Sequence, residues 1–317
     1  MLLKYDQRSD KDMIELFFLG TGGTFPRKNR KTICIVARIK GRLIVFDAGE
    51  GCQVDFVPKF GTNKDTTILI SHLHGDHVLG LPGLLFSFNL LERSKLLTII
   101  GPKGIRRLIS GFMRILHLDL TFPLKVIEIE RAPTLLEVED NKDFKIFAWK
   151  TRHTTSSLAY LLLEKKPRGR FNVEKAKRLG VPKGRLWKKL QNGYSVKVRG
   201  NIIHSQEILD NYYNGVKIVY SGDTKPDLSI IKFSMDADVL IHEASFLLKE
   251  YRKALESAHS TVYQVAELAE IARVKKLVLV HITPRYDTSI KKLLNEAKQV
   301  FSGEVLIAED GDELRIK

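Results

Sequence analysis

Cysteine is nearly absent from this 317-residue chain, which has only Cys34 and Cys52 and no CxxC pair. Two isolated cysteines do not make a disulfide framework or a thiolate zinc site. We expect both to be small core residues of a protein that works in a reducing cytoplasm.

Long apolar runs are lacking as well. Residues 1–12 are charged and polar and do not contain the apolar run of a signal peptide. No later stretch reaches the ~18 uncharged residues that a membrane-spanning helix needs. We therefore expect a soluble protein with no membrane partner, in which residues 1–12 form a charged tail and folding begins near residue 13.

Acidic residues are outnumbered by basic ones. The formal net charge is +15 and the isoelectric point is about 9.6. Such an excess favours a polyanionic partner, such as nucleic acid or an acidic membrane surface, over a neutral metabolite. The apolar content of 44% allows a full core in one large domain or two small ones, so the size permits an enzyme.

Apolar periodicity predicts a mixture of strands and helices from residue 13 onward. Two early runs are joined by Lys40-Gly41 at the length of a hairpin. Strands are predicted at 14–19, 32–39, 42–47, 66–71, 97–100, 145–150, 158–163, 216–221, 239–242 and 276–281, and helices at 78–91, 104–116, 261–272 and 288–300.

Three histidines and one aspartate lie within six residues, His72-Leu-His-Gly-Asp-His77, directly after a predicted strand. Imidazole and carboxylate are suitable ligands for zinc, manganese or iron. A solvated polar loop is the alternative, but a third of the nine histidines of the chain lie here. The segment predicts one metal ion on His72 and His74 and a second on Asp76 and His77, with the glycine allowing a tight turn between them.

Further ligand candidates follow later predicted strands. They are His153, Asp223 in a Ser-Gly-Asp-Thr segment, and His281. A catalytic site with two metals needs such additional ligands, including one that bridges the ions. We therefore expect these three side chains to meet the histidine segment at a shared sheet edge.

This order of motifs resembles the metallo-β-lactamase superfamily. Other segments narrow the resemblance to the ribonuclease Z family and cover nearly the whole chain from residue 13. They are FLGTGG (18–23), FDAGE (46–50), HVLGLPG (77–83), GPKG (101–104), HEASF (242–246), AHST (258–261) and HITPRY (281–286).

The resemblance implies an α/β fold, a four-layer αββα sandwich with two Zn²⁺ per subunit at the sheet edge, or Mn²⁺ or another divalent ion in their place. His72, His74 and His153 would bind one ion. Asp76, His77 and His281 would bind the second, and Asp223 would bridge them.

The same resemblance implies an endonuclease that removes the 3′ trailer from precursor tRNA. A hydroxide shared by two ions would attack the phosphodiester, leaving a 3′-hydroxyl on the tRNA and a 5′-phosphate on the trailer. Asp76 would accept the proton of the attacking water. His259 would serve the leaving oxygen, with Glu243 orienting it. A homodimer is implied as well.

Basic charge is concentrated in one segment. Residues 164–199 hold thirteen lysines and arginines against two acids, a net of +11. A charge run is usually a solvated face, but this one is unusually local and contains Phe171, Trp187 and Tyr194. We interpret about 164–213 as an inserted arm with a small apolar seam, resembling the exosite of ribonuclease Z. The arm would bind RNA backbone and read its shape, and its candidate RNA contacts are Lys165, Lys166, Arg168, Arg170, Lys175, Lys177, Arg178, Lys183, Arg185, Lys188 and Lys189.

Three alternatives share part of this pattern. A thioesterase or arylsulfatase-like enzyme of the same fold would use the same ligands, but it would not need a basic arm or the AHST segment. A β-CASP RNA nuclease also acts on a polyanion, but it carries a large inserted domain for which this chain is too short. A non-catalytic RNA-binding module would not need seven ligand candidates.

Overall fold

The computed structural model describes residues 13–131, 134–165, 168–213 and 215–316. The predicted tail at 1–12 and the candidate RNA contact Lys166 lie outside these ranges. In chain order the strands are β1 (Ile14–Gly20), β2 (Cys34–Ile39), β3 (Arg42–Phe46), β4 (Thr66–Leu69), β5 (Leu97–Pro102), β6 (Leu124–Ile129), β7 (Leu136–Asp140), β8 (Phe144–Arg152), β9 (Ser156–Glu164), β10 (Arg168–Phe171), β11 (Val196–Val198), β12 (Asn201–Ile203), β13 (Leu209–Tyr213), β14 (Lys217–Tyr220), β15 (Val239–Glu243), β16 (Lys276–Val280), β17 (Glu304–Ile307) and β18 (Glu313–Ile316).

The helices lie between groups of these strands along the chain, together with single-turn 3₁₀ helices at Leu248–Glu250 and Pro284–Tyr286. In chain order they are α1 (Gln53–Phe60), α2 (Gly75–Val78), α3 (Gly80–Leu90), α4 (Ile105–Ile115), α5 (Val173–Arg178), α6 (Arg185–Gln191), α7 (Ser205–Ile208), α8 (Leu228–Ser234), α9 (Tyr251–Glu256), α10 (Val262–Ile271) and α11 (Ile290–Lys298).

Two large sheets form the centre of the molecule. The first has the order β18-β1-β2-β3-β4-β5-β6 and the second β17-β16-β15-β14-β9-β8-β7. The predicted hairpin joins β2 to β3 through Lys40 and Gly41, which both have positive φ (48° and 82°), as a tight two-residue hairpin turn requires. Strands β3 to β6 run parallel to one another, as do β14 to β17.

The sheets pack face to face around a core that includes Phe18, Phe46, Tyr160 and Tyr220. A second apolar cluster joins the outer face of the first sheet to α1, α3 and α4. A third joins the second sheet to α8, α10 and α11. The layers are therefore helix, sheet, sheet, helix, and the predicted αββα fold class is confirmed.

Residues 168–213 fold beside the sandwich, around an apolar cluster of their own. Two small sheets, β10-β13 and β11-β12, are joined there by short helices. Asn172 caps α5 by accepting a hydrogen bond from the backbone N–H of Lys175 (2.9 Å). The buried members of the cluster are Ala176, Val181, Leu190, Val196, Val198, Ile203 and Ile208.

The predicted strands and long helices of the sandwich are all present, with ends shifted by a few residues. The sequence analysis missed α1, α2, β6, β7, α8, α9, β17 and β18. No helix within the described residues is long and apolar enough to cross a membrane.

Candidate metal centre and nucleic-acid interface

Carboxyl ends of strands from both sheets meet at one edge of the sandwich and place polar side chains there. The parallel strands require this, because their carboxyl ends lie on the same side of a sheet. The residues at or just after these ends are Asp47 (β3), His72 (β4), His153 (β8), Asp223 (β14), Glu243 (β15) and His281 (β16).

One group of imidazoles lies at this edge. His72 Nε2 is 2.9 Å from His74 Nδ1, and His153 Nε2 is 3.3 Å from the same atom. Three donors around one zinc-class ion, at metal–nitrogen distances of about 2.0–2.1 Å, stand roughly 3.4 Å apart. The three side chains predicted for the first ion are thus close enough together to share one.

A second group lies beside the first. Asp76 Oδ2 is 3.3 Å from His281 Nε2 and 3.7 Å from His77 Nε2. Asp76 and His77 both belong to α2, which follows His74 directly. Gly75 begins this turn without a positive φ. Helical geometry, rather than the conformational freedom of glycine proposed from the sequence, directs Asp76 and His77 to the second position.

Asp223 lies between the two groups. Its Oδ2 is 3.2 Å from His281 Nε2 and 3.4 Å from His77 Nε2, and 3.8 Å from His72 Nε2. The side chain is 3% exposed. One carboxylate therefore reaches donors of both groups, which is the position that a bridging ligand occupies.

The outer nitrogen of four of the imidazoles is held by a neighbouring group. His77 Nδ1 is 2.7 Å from Asp47 Oδ2, and His153 Nδ1 is 2.9 Å from the carbonyl oxygen of Ala258. A hydroxyl oxygen lies 2.9 Å from His281 Nδ1, and another lies 3.0 Å from His72 Nδ1. Such contacts fix the ring and leave Nε2 directed inward, an arrangement common among metal-ligating histidines.

Asp47 is a functional residue that the sequence analysis did not assign, although it lies in the quoted FDAGE segment. It is fully buried and adopts a positive φ of 56°. Its carboxylate accepts hydrogen bonds from the backbone N–H and hydroxyl of Ser71 (2.6 and 2.7 Å) and from the hydroxyl of Tyr220 (2.6 Å), besides His77. Its position directly after β3, at the same edge as the ligands, was the available signal.

A glycine turn closes the second group from the other side. The backbone N–H of Thr24 donates to Asp76 Oδ2 (2.7 Å). A Cβ atom on Gly23 would lie 2.4 Å from the His281 ring, so only glycine fits there. The guanidinium of Arg27 donates to the carbonyl oxygens of Gly23 (3.3 Å) and Ile282 (2.8 Å) and ties this turn to the segment that carries His281.

Ionisation states favour metal binding. Burial lowers the pKa of His72, His74 and His153 below that of ordinary histidine. Burial would raise the pKa of Asp223, but nearby His281 and His77 outweigh it and hold that pKa well below its usual range. Neutral imidazoles and ionised carboxylates are the forms that bind metal ions.

The pKa of His77 is shifted in the opposite direction. Burial would lower its pKa, but the carboxylates of Asp223 and Asp47 outweigh burial and raise it. Positive charge is therefore favoured beside His77, and a metal ion at Nε2 would supply it. Within the described residues, His77 Nε2 and Asp223 Oδ1 are buried without hydrogen-bond partners. Buried polar atoms without partners need an explanation, and divalent ions fit this donor set.

His259 and Glu243 form a pair at the rim of the cluster. Glu243 Oε1 is 2.8 Å from His259 Nδ1, and the Glu243 carboxylate also accepts from the backbone N–H groups of Thr224 (3.1 Å) and Ser260 (3.2 Å). Glu243 is buried, whereas 16% of the His259 side chain is exposed. Burial would lower the pKa of His259, but Glu243 outweighs it and raises that pKa to about 9. A protonated imidazole is thus held near the metal centre.

The candidate RNA contacts separate into two groups. Lys165, Lys175 and Lys177 form ion pairs with Asp140, Asp210 and Glu174, respectively. The side chain of Arg168 lies outside the described residues. The remaining candidates are exposed and form no ion pair with any described residue: Arg170, Arg178, Lys183, Arg185, Lys188 and Lys189.

A family model described as "Anti-Pycsar protein Apyc1" matches residues 14–166. This stretch includes the histidine segment and His153 but ends before Asp223, Glu243, His259 and His281. Among solved structures, the short form of human tRNase Z is 26% identical with a TM-score of 0.68, covering 95% of this chain and 98% of its own. The metallo-β-lactamase fold protein YhfI from Bacillus subtilis has a TM-score of 0.69 at 21% identity, covering 96% and 100%.

Curated relatives match almost the whole chain. A protein named Ribonuclease Z from Methanosarcina mazei is 40% identical over 305 residues, which cover 96% of this chain and 98% of the relative. Another of that name from Nitrosopumilus maritimus is 38% identical over 305 residues, covering 96% and 100%. The chain therefore belongs to the ribonuclease Z family and has the metallo-β-lactamase fold.

Proposed function

We propose that this protein is the endoribonuclease that removes the 3′ trailer from precursor tRNA. The observation that carries this proposal is the convergence of seven imidazole and carboxylate side chains at one sheet edge, in a chain whose full-length relatives are named Ribonuclease Z. The related human structure is named a tRNase Z. Cleavage leaves a 3′-hydroxyl on the tRNA and a 5′-phosphate on the trailer.

Two Zn²⁺ per chain are the proposed cofactors. His72, His74 and His153 would hold one ion, and Asp76, His77 and His281 the other, with Asp223 between them. When bound, a pair of such ions activates water and neutralises the charge that develops on a phosphate. The supporting observation is that the donor atoms within each of these groups lie within 4.8 Å of one another.

The chain's own residues handle protons around the scissile bond. Asp76 is proposed to accept a proton from the attacking water. His281 and His77 outweigh burial and hold its pKa below the usual range, so the carboxylate is ionised. His259 is held protonated by Glu243 and is positioned to donate a proton to the leaving oxygen. Glu243 acts through His259 by fixing its ring and its charge.

Basic side chains on residues 168–213 are proposed to hold the RNA backbone. This segment has its own core and presents Arg178, Lys183, Arg185, Lys188 and Lys189 to solvent. Lysine and arginine neutralise phosphates without reading sequence. Lys165, Lys175 and Lys177 already have carboxylate partners, so we expect smaller contributions from them.

The direction of the strands supports a homodimer. β9 begins near His153 and runs for nine residues to Glu164, and β14 returns from Lys217 toward Asp223. Nine residues of strand span about 30 Å. The basic arm therefore joins the sandwich at the edge opposite the metal centre. From there it is better placed to hold RNA for a second subunit than for its own site.

An exposed apolar stripe offers a surface for that second copy. Leu79, at the N-cap of α3, and Phe86 and Leu90 within it are 50%, 43% and 82% exposed. Their spacing of seven and four residues puts them on the same side of the helix. The opposite face of α3 packs into the core. A helix that is apolar on both faces is expected to be covered on both. The cytoplasmic location stays a prediction.

The central experiment is incubation of the purified protein with a precursor tRNA that carries a 3′ extension, followed by mapping of both new ends. We expect a cut at or next to the discriminator nucleotide with a 3′-hydroxyl on the tRNA. A 2′,3′-cyclic phosphate would overturn the mechanism, because the RNA itself would then be the nucleophile. Absence of cleavage by the metal-loaded protein would overturn the function.

The dimer is tested by mixing two defective variants. One carries His259→Ala with a normal arm, and the other has a normal site but carries glutamine in place of all five exposed arm cations, Arg178, Lys183, Arg185, Lys188 and Lys189. If the arm serves the partner's site, mixed dimers should recover activity that neither variant has alone. Activity equal to the average of the two separate proteins would contradict an arm that acts between subunits.

A further inference from the structure

A second concentration of positive charge lies outside the arm. Residues 103–117 contain Lys103, Arg106, Arg107 and Arg114 and no aspartate or glutamate, a net of +4. Subtracting this +4 and the +11 of residues 164–199 from the total of +15 leaves zero. The rest of the chain therefore carries no net charge.

The arginines of α4 form a continuous stripe. Positions 106, 107, 110 and 114 fall within about 100° on a helix of 3.6 residues per turn, and all four are exposed. Ile105 and Ile109 on the other face pack into the core beneath the first sheet. The stripe is thus held on a rigid helix.

Lys103, just before α4, extends this stripe to four cations, and none of the four forms an ion pair with any residue that the structure describes. The nearest carboxylate contact is Glu128, which accepts a hydrogen bond from the backbone N–H of Arg106 (3.1 Å). That contact satisfies the start of the helix and does not engage the guanidinium groups. Exposed cations without partners are available to an external anion.

The stripe begins at the rim of the metal centre. β5 lies beside β4 in parallel register, so Pro102 ends at the same edge as the histidine segment. A Cβ atom on Gly104 would lie 3.0 Å from Leu73, the residue between His72 and His74. The helix extends from there for eleven residues, or about 16 Å.

We propose that Lys103, Arg106, Arg107 and Arg114 form a second RNA-binding surface, which holds the phosphate backbone of the substrate in the same subunit that cuts it. This inference rests on the proposed function and adds a binding site to it. The arm of a subunit leaves from the far edge of its sandwich. Phosphates next to the scissile bond therefore need cations at the near edge, and this stripe supplies them.

The test uses the full-length triple variant Arg106→Gln, Arg107→Gln, Arg114→Gln. Glutamine keeps a helix propensity close to that of arginine. The matched control is Lys291→Gln, Lys292→Gln, Lys298→Gln, which removes the same charge from exposed positions of α11 on the opposite outer layer. Precursor-tRNA affinity is measured from 50 to 300 mM salt in a His259→Ala background, so that the substrate is not consumed. Metal content and thermal unfolding show that site and fold persist.

We expect weaker binding by the α4 variant and a log-log salt slope shallower by roughly 2–3, since each lost phosphate contact removes close to one. The α11 control should keep the original slope. Equal losses in both variants would overturn the proposal, because net charge would then explain the effect. An unchanged slope in the α4 variant would overturn it too.

Trailer length identifies which part of the RNA lies on the stripe. A defect confined to precursors with a trailer of about ten nucleotides would place the trailer there. An equal defect with a single-nucleotide trailer would place the tRNA body there, and either result supports the binding surface. Failure of the unmodified protein to cut precursor tRNA would instead remove the proposed function, whatever the variants show.

Discussion

The metal centre and the basic arm are built in opposite ways. The centre gathers seven side chains spread from His72 to His281, which several strand ends and α2 bring together, four of them buried and three partly buried. The arm is one continuous segment whose short elements pack around their own cluster and present exposed cations. Loss of one side chain in the metal centre therefore disturbs its neighbours, which lie on other segments of the sandwich. Loss of one exposed cation in the arm leaves the other cations in place.

The largest effect should come from Asp223, because its carboxylate reaches donors of both ligand groups. We expect Asp223→Ala to abolish precursor-tRNA cleavage almost completely and to lower metal content at both positions, measured by elemental analysis after reconstitution. Asp236→Asn is the control, since Asp236 is an exposed partner of Arg273 (2.9 Å) and precedes β15, at the sheet edge opposite the cluster. Full metal content in Asp223→Ala would show that the two groups bind independently.

A smaller effect is expected at the rim of the centre, where His259 touches the ligands but has its own partner. His259→Ala should keep both ions and lose turnover by roughly 10²–10⁴-fold, the usual contribution of a positioned acid. Glu243→Gln keeps the shape but removes the charge that holds the imidazole protonated. It should lose about 10–100-fold, as other groups that orient a catalytic partner do.

Metal analysis separates this pair from the ligands. Both variants should retain the metal content of the unmodified protein while kcat falls, with little change in KM. A loss of metal from His259→Ala equal to that from Asp223→Ala would make His259 a ligand. The rim would then belong to the interdependent centre.

The sequence indicated the candidate ligands because each is chemically distinctive and follows an apolar strand. Asp47 was not assigned, since a lone aspartate after a strand gives no sign that four donors will surround it. Thr24 acts through its backbone N–H and Arg27 through its guanidinium, and only the fold reveals which carboxylate and carbonyl oxygens they reach. Tertiary contacts between distant segments decide these roles, and local pattern does not encode them.

The helices and strands, like the site residues, were predicted only where the local sequence pattern is clear. Strands with long apolar runs were predicted because burial on both faces leaves a clear pattern. β6 and β7 were missed, and most of their residues are only partly buried. In the arm, helices and strands of three to seven residues are too short to show a period. Its apolar residues predicted a seam, but not which of them would meet.

Single substitutions of the arm cations are expected to have the smallest effects. Substitutions in the arm also give the sharpest test of the comparison between the arm and the metal centre. Replacing Lys188 or Lys189 alone with glutamine should make the salt slope of precursor-tRNA binding shallower by about one, and the losses should add when both are changed.

Leu190→Ala removes no charge. Leu190 is fully buried in the arm cluster, and such a truncation typically costs about 2–5 kcal/mol.

A small segment with one apolar cluster has low stability, so Leu190→Ala should unfold the arm locally. Unfolding would disrupt the arrangement of all its cations at once. We expect a larger loss of RNA affinity than the double lysine change gives, together with faster proteolysis within residues 168–213 and unchanged metal content. Ile202→Ala, at a 62% exposed position of the same arm, is the control. If Leu190→Ala bound RNA like Ile202→Ala, the arm would act as a string of charges and its folded core would have no part in recognition. The contrast with the metal centre would then become a contrast between a folded site and a charged segment that needs no fold.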